Sequence, residues 1–282
     1  MSRAGDADLA LAVEAARAAG EVVMRRFGCE QPVTYKGPDQ PLTPADLEAD
    51  DVLRARLLGA RPDYGWLSEE TADAPDRLRR GRVWIVDPLD GTRSFIAGRP
   101  EFAISVALAE RGRAVLGVVY NPATGELFYG ERGRGAWLEA PGRVGARRLE
   151  VTARETSEQA VLLASRSEIA AGEFDPFHGG WVLVPTGSTA YKLARLAAGA
   201  GDVFLSRGPK AEWDVCAGAL LVDEAGGRAT DLAGEELQYN RPDPRVNGIL
   251  ATNGRLHGYL LGVVAMLPPT RRTRPPDGEK GD

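Results

Sequence analysis

Sulfur and imidazole are scarce in this chain: 282 residues include two cysteines and two histidines. Cys29 and Cys216 form no disulfide framework and have no metal-site spacing, so both are expected as small buried hydrophobes. His178 and His257 lack a triad-like neighbour, and each is expected to be structural or exposed rather than a general base. Basic charge is not in excess. A formal net charge of −5 and a pI near 5.3 argue against coating a nucleic acid polymer. A small anionic substrate still fits if metal ions supply positive charge locally. Long apolar runs are missing too, since none reaches the ~20 residues that cross a bilayer. The longest, YLLGVVAML from Tyr259, is about half that length and is expected as a buried helix. The first twenty residues lack the basic flank and uninterrupted apolar core of a signal peptide. The expectation is a cytoplasmic protein with no membrane partner.

What the chain does have is 43% hydrophobic residues, 34 glycines and 19 prolines, enough for a large core of many short elements joined by tight turns. At roughly 150 residues per domain, this length suits one large domain or two modest ones. Helical spacing of Leu9, Val13, Ala16, Val23 and Phe27 predicts a helix over 6–27, stopped by Gly28. Thr43-Pro44-Ala45-Asp46 has the pattern of a helix start, with Thr as N-cap and Pro at the first position. VWIV (83–86) is a short apolar run that predicts a strand buried on both faces. Residues 103–110 and 114–122 predict a hairpin that later strands extend into an antiparallel meander. The second half alternates short strands near 161–165, 181–185, 202–206 and 249–253 with helices near 188–199, 214–225 and 255–267, an α/β pattern. Pro141–Gly145 is the expected boundary, giving units at 1–142 and 143–267. The Pro-rich, charged tail at 268–282 is expected to be disordered.

The segment Val83–Phe95 poses the chemical question. Pro88 cannot donate to a sheet ladder, so it is expected to end the strand just after Asp87. Asp87 and Asp90, three apart across a Pro-Leu turn, can then aim both carboxylates at one point. Gly91 permits a tight backbone, and Thr92 can open a helix whose free N–H groups attract phosphate. An isolated Asp-x-x-Asp-Gly is ordinarily a polar turn. Here Glu69-Glu70 lies upstream after another apolar stretch, and Asp214 lies far downstream at a helix start. Carboxylates that converge without lysine or arginine between them repel one another unless a cation intervenes. An oxygen-only donor set suits a hard ion such as Mg²⁺.

Ser68-Glu69-Glu70, Trp84 through Thr92 and Glu212 through Gly218 together resemble the three signatures of the inositol monophosphatase superfamily. The resemblance covers residues 6–265 and includes Thr43–Asp46 and Glu224–Gly227. It implies a layered α-β-α-β-α sandwich of the inositol monophosphatase and fructose-1,6-bisphosphatase type: an N-terminal α+β unit carrying most metal ligands, then a C-terminal α/β unit carrying Asp214 and substrate contacts. It also implies a lithium-sensitive, Mg²⁺-dependent phosphomonoesterase holding two or three ions. Glu69, Asp87 and the Leu89 carbonyl are implied ligands of one Mg²⁺, and Asp87, Asp90 and Asp214 of a second. Asp46 with Glu70 is implied to support a third. Thr92 and Glu69 are implied to orient and activate the attacking water, with Asp46 in the same catalytic group, and the Gly91 and Thr92 amides to hold phosphate. A homodimer is a further expectation of the resemblance.

For the substrate, Gly187-Ser188 and Lys192 resemble a segment of the 3′(2′),5′-bisphosphate nucleotidase branch, as does Gly208-Pro209. Inositol monophosphatases usually carry a glutamate where this chain has Ser206 or Arg207. Lys192, Arg207 and Lys210 are plausible cations for a second phosphate, although a helical lysine can equally be a solvated surface charge. The expected partner is therefore a small phosphorylated substrate, first of all adenosine 3′,5′-bisphosphate hydrolysed to AMP and phosphate. The alternatives are inositol 1-phosphate, a sugar phosphate such as fructose 1,6-bisphosphate, and a non-catalytic module that binds a phosphorylated ligand.

Overall fold

The computed structural model describes residues 4–37, 40–177 and 180–267. In chain order these form α1 (Ala4–Arg26), β1 (Thr34–Gly37), β2 (Gln40–Leu42), α2 (Pro44–Ala60), β3 (Gly65–Ser68), β4 (Arg82–Asp90), α3 (Thr92–Ile96), β5 (Ala103–Glu110) and β6 (Arg113–Asn121). Then follow β7 (Glu126–Glu131), β8 (Gly135–Glu139), β9 (Arg147–Arg148), β10 (Ala160–Ala164), α4 (Arg166–Ala170), β11 (Trp181–Pro185) and α5 (Thr189–Ala197). The last are β12 (Val203–Ala211), α6 (Glu212–Glu224), β13 (Arg228–Thr230), β14 (Arg245–Thr252) and α7 (His257–Met266). The tail at 268–282 and His178 lie outside the described residues.

Five layers result. A seven-stranded sheet runs β3-β4-β5-β6-β7-β8-β9, parallel at β3–β4 and antiparallel elsewhere. A five-stranded mixed sheet runs β11-β10-β12-β14-β13. Helices α1 and α2 cover the outer face of the first sheet, α5 and α6 lie between the sheets, and α7 covers the far face of the second. β4 shows why. Trp84 and Val86 enter the core under α1 and α2, whereas Val83 and Ile85 enter the core shared with α5 and α6. Alternation across a strand buried on both faces is what an unbroken apolar run encodes. The central core is continuous from the first sheet to the second through α6, whose Val215, Cys216 and Leu221 are fully buried.

Several expectations need correction. β4 does not stop at Asp87: it continues to Asp90 through a bulge, with Asp87 opposite Ser105 and Asp90 opposite Ala103 on β5. Pro88 sits in the bulge, where no ladder donor is required. β12 likewise runs past Ser206 to Ala211, bulging before Pro209. Cys29 is exposed just beyond α1, while Cys216 is buried. α7 is buried on one face only, through Leu260 and Val264, while Tyr259 and Met266 are exposed. No described helix is long and apolar enough to cross a membrane.

Candidate active site

The bulge in β4 turns its last carboxylates toward a cleft of about 420 Å³ between the two sheets. Glu69 arrives from the end of β3, the parallel neighbour of β4, and Asp214 from the first turn of α6. One carboxylate oxygen from each of Glu69, Asp87 and Asp214 lies within 4.8 Å of the other two. Burial pushes the Asp87 carboxyl well above the usual range, and the charges of Glu69, Asp90 and Asp214 push it further. Asp214 is driven the same way by burial, then by Asp90 and Glu69. A crowded donor set of oxygens alone fits a hard divalent cation.

Asp90 stands slightly apart. Its Oδ2 accepts the Ser188 hydroxyl and the Ala190 N–H, both at 2.6 Å, so it caps α5 and ties the first sheet to the middle layer. Burial raises its pKa, and those bonds together with Lys192 oppose the rise. Ser188 is itself the N-cap of α5 with φ +59°, a left-handed conformation unusual for serine, and accepts the Tyr191 N–H at 2.9 Å. Strain of this kind persists where surrounding contacts enforce it. Gly187, beside it, could not carry a side chain: a Cβ would lie 2.1 Å from Ser94 Oγ. Gly91 ends β4 with φ +98° and caps α3, whose first residue is Thr92.

Thr92 Oγ1 lies 2.9 Å from Asp46 Oδ1 and 3.1 Å from the Leu89 carbonyl oxygen. Asp46 is held by the capping box of α2, its Oδ2 accepting the Thr43 backbone N–H at 2.8 Å and the Thr43 hydroxyl at 2.7 Å. Burial raises the Asp46 pKa despite those bonds. Asp50, a turn further along α2, accepts the hydroxyls of Ser68 and Thr71, each at 2.5 Å, and so fixes the turn bearing Glu69 and Glu70.

The cleft also carries cations. Lys192 and Lys210 both line the cleft. Lys192 does not face solvent: it is 2% exposed, donates to Ser165 Oγ at 2.6 Å, and burial with the nearby Lys210 lowers its pKa to about 8. Ser206 is buried and donates to Glu168 Oε1 at 2.7 Å. Arg207 is turned toward the Glu173 carbonyl oxygen at 3.3 Å. His257 is buried between the Thr230 and Thr252 hydroxyls at 3.0 and 3.1 Å.

Some participants carry no signal in the sequence. Lys36 of β1 donates to Glu69 Oε1 at 2.7 Å and Glu70 Oε1 at 2.8 Å. Glu101 accepts the Gly187 N–H at 2.8 Å and pairs with Arg166, which lines the cleft. Both relationships join segments distant in sequence, and neither has a periodicity or motif of its own.

The inositol monophosphatase family model matches residues 6–266. The chain is 41% identical over 236 residues to an inositol-1-monophosphatase of Rhizobium meliloti, covering 79% of this chain and 84% of that protein. It is 33% identical over 236 residues to the 3′(2′),5′-bisphosphate nucleotidase CysQ of Salmonella typhimurium, covering 82% and 94%. Among solved structures, the extragenic suppressor protein suhB of Bartonella henselae superposes with a TM-score of 0.79 at 33% identity, covering 92% of this chain and 99% of that one. The chain therefore belongs to the inositol monophosphatase family and is a metal-dependent phosphomonoesterase.

Proposed function

We propose that the chain is a Mg²⁺-dependent phosphatase of 3′(2′),5′-bisphosphate nucleotides, releasing AMP and phosphate from adenosine 3′,5′-bisphosphate. The carrying observation is that carboxylates and lysines share one cleft. Glu69, Asp87 and Asp214 converge at the cleft, and Lys192 and Lys210 line the same cleft within reach of their charge. Glu69, Asp87 and the Leu89 carbonyl would hold one Mg²⁺, and Asp87, Asp90 and Asp214 a second, with Asp46 and Glu70 beside them. Bound there, the ions would lower the pKa of water and neutralise the oxygens of an in-line displacement.

The chain's own groups do the positioning. The Thr92 hydroxyl, oriented by Asp46, has lone pairs free to accept from a water aimed at phosphorus, and Glu69 receives a proton from that water. The Gly91 and Thr92 N–H groups hold the phosphate at the start of α3. A P–O bond forms to the water oxygen, the ester P–O bond breaks, the departing alkoxide takes a proton from solvent water, and Glu69 returns its proton to solvent. Gly187 and Ser188 shape the cleft beside α5, Ser206 stays buried behind it, and Lys192 and Lys210 meet the second phosphate as charge-assisted donors.

A second reading is inositol-1-phosphate hydrolysis, favoured by relatives named inositol-1-monophosphatase at 41% and 39% identity. Comparing kcat/KM for adenosine 3′,5′-bisphosphate, inositol 1-phosphate and fructose 1,6-bisphosphate, with Mg²⁺ and with chelator, separates them. A preference for inositol 1-phosphate overturns the nucleotide reading. Undiminished turnover under chelation overturns the ion-holding role of the carboxylates.

A further inference from the structure

Beside the two lysines lies a carboxylate that the reaction does not use. Glu168, the third residue of α4, is 1% exposed and does not line the cleft. Its Oε1 accepts the Ser206 hydroxyl at 2.7 Å and lies 3.6 Å from Lys210 Nζ. Its Oε2 is buried and has no hydrogen-bond partner among the described residues. Burial acts against the charged form of Glu168, yet Lys210, Lys192 and the Ser206 and Ser165 hydroxyls together outweigh it and leave the pKa lowered. A buried carboxylate with an unpaired oxygen is costly unless cations nearby hold it. The converse applies to the lysines. Lys192 is buried beside a like charge, and Glu168, Asp90 and Asp214 are the carboxylates that favour its charged form. Asp90 and Asp214 face the cation centre, so Glu168 is the counter-charge that stays with the lysines when that centre is filled.

We propose that Glu168 is a positioning residue for substrate selection, its carboxylate holding Lys210 in place beside Lys192 so that the pair receives a second anionic group on the substrate. This rests on the bisphosphate reading of the cleft. Glu168 touches no substrate and acts through Lys210 directly and through Lys192 by charge. Ser206 fixes the carboxylate in turn, which gives that buried serine a function at one remove from the cleft.

Glu168→Gln tests the idea because it keeps the shape and an acceptor for Ser206 while deleting the charge. Steady-state kinetics are compared on adenosine 3′,5′-bisphosphate and on p-nitrophenyl phosphate, which lacks a second anion. In the variant, KM for the bisphosphate is expected to rise roughly tenfold with kcat within about twofold. On p-nitrophenyl phosphate kcat/KM should move less than about twofold, and Glu168→Asp should recover part of the loss. If Glu168→Gln fails to fold, Glu168→Asp carries the test, with a several-fold rise in KM confined to the bisphosphate. Equal losses on both substrates, or an unchanged or lower KM for the bisphosphate, overturn the role of Glu168. A wild-type enzyme indifferent to the second phosphate overturns the substrate reading and this subsite together. A selective wild type with an unmoved variant overturns Glu168 alone.

Discussion

Thr92 Oγ1 and Asp46 Oδ1 are 2.9 Å apart, joining the first residue of α3 to the first turn of α2. The same aspartate closes the capping box with Thr43, so one side chain both starts a helix and orients a hydroxyl at the cleft. The two duties can be separated. Thr92→Val should lower kcat by on the order of 100-fold with thermal stability unchanged. Asp46→Ala should lose comparable activity and also about 1 kcal/mol of stability from the lost cap. Turnover and thermal unfolding of the two variants check this, and near-normal kcat in Thr92→Val would remove the hydroxyl from the reaction.

Asp87→Asn should keep the fold and lose turnover by more than ~100-fold, since even outer partners of metal ligands cost 10–100-fold. Its stability should respond to pH in an informative way. The Asp87 and Asp214 pKa values are raised in the fold, so the metal-free folded state binds more protons than the unfolded chain above the ordinary carboxylate range. The contribution of this cluster is therefore present at low pH and lost as pH rises. With chelator, wild-type Tm should fall between pH 5 and pH 8 more than that of Asp87→Asn. Adding Mg²⁺ should reverse the order by stabilising wild type by about 2.7 kcal/mol at a hundredfold excess over Kd. A chelated wild type that is no less stable at pH 8 than at pH 5 would contradict the crowding of like charge.

Much of the fold was legible because its signals are local. The apolar run of β4, the capping pattern at Thr43 and the spacing in α1 each specify an element from adjacent residues. The bulge was not legible, because proline ends a ladder unless the opposing strand leaves its position unpaired, and that depends on β5. The same applies to the site. Glu69, Asp87, Asp90 and Asp214 stand out as acids beside apolar elements, and the family resemblance assigns them roles. Lys36, Glu101 and Glu168 sit in stretches whose composition reads as surface, and only tertiary packing gives them partners. Lys192 illustrates the ambiguity: on α5 its spacing suits either solvent or core, and the second sheet decides for the core.

His257 offers a check on the far side of the molecule. Burial, aided by Arg228, lowers its pKa to about 4 from an ordinary value near 6.5. The folded state thus favours the neutral ring, and the unfolded chain binds the extra proton between those values. Stability from this residue is complete above pH 6.5 and is lost as pH falls toward 4. His257→Asn retains a hydrogen-bonding side chain between Thr230 and Thr252 but cannot titrate. The Tm advantage of wild type over this variant should shrink by roughly 3–6 °C from pH 7 to pH 4.5. A gap that stays constant with pH would mean the ring takes up its proton in the fold as readily as in the unfolded chain.

Lys36 makes the sharpest prediction about ions. Its ammonium reaches Glu69 and both oxygens of Glu70, at 2.7, 2.8 and 3.0 Å. Half-burial disfavours that charge, but the two glutamates raise its pKa above the ordinary lysine value, so the side chain acts as an internal cation on an acidic site. A cation bound through Glu69 must compete with it. Lys36→Met removes the competitor while keeping an apolar stem of similar length. The Mg²⁺ concentration giving half-maximal activity should fall several-fold, with kcat at saturating Mg²⁺ changed by less than about threefold. Titrating activity against Mg²⁺ in both proteins decides the matter. An increased Mg²⁺ requirement would show that Lys36 organises Glu69 and Glu70 for the ion instead of displacing it.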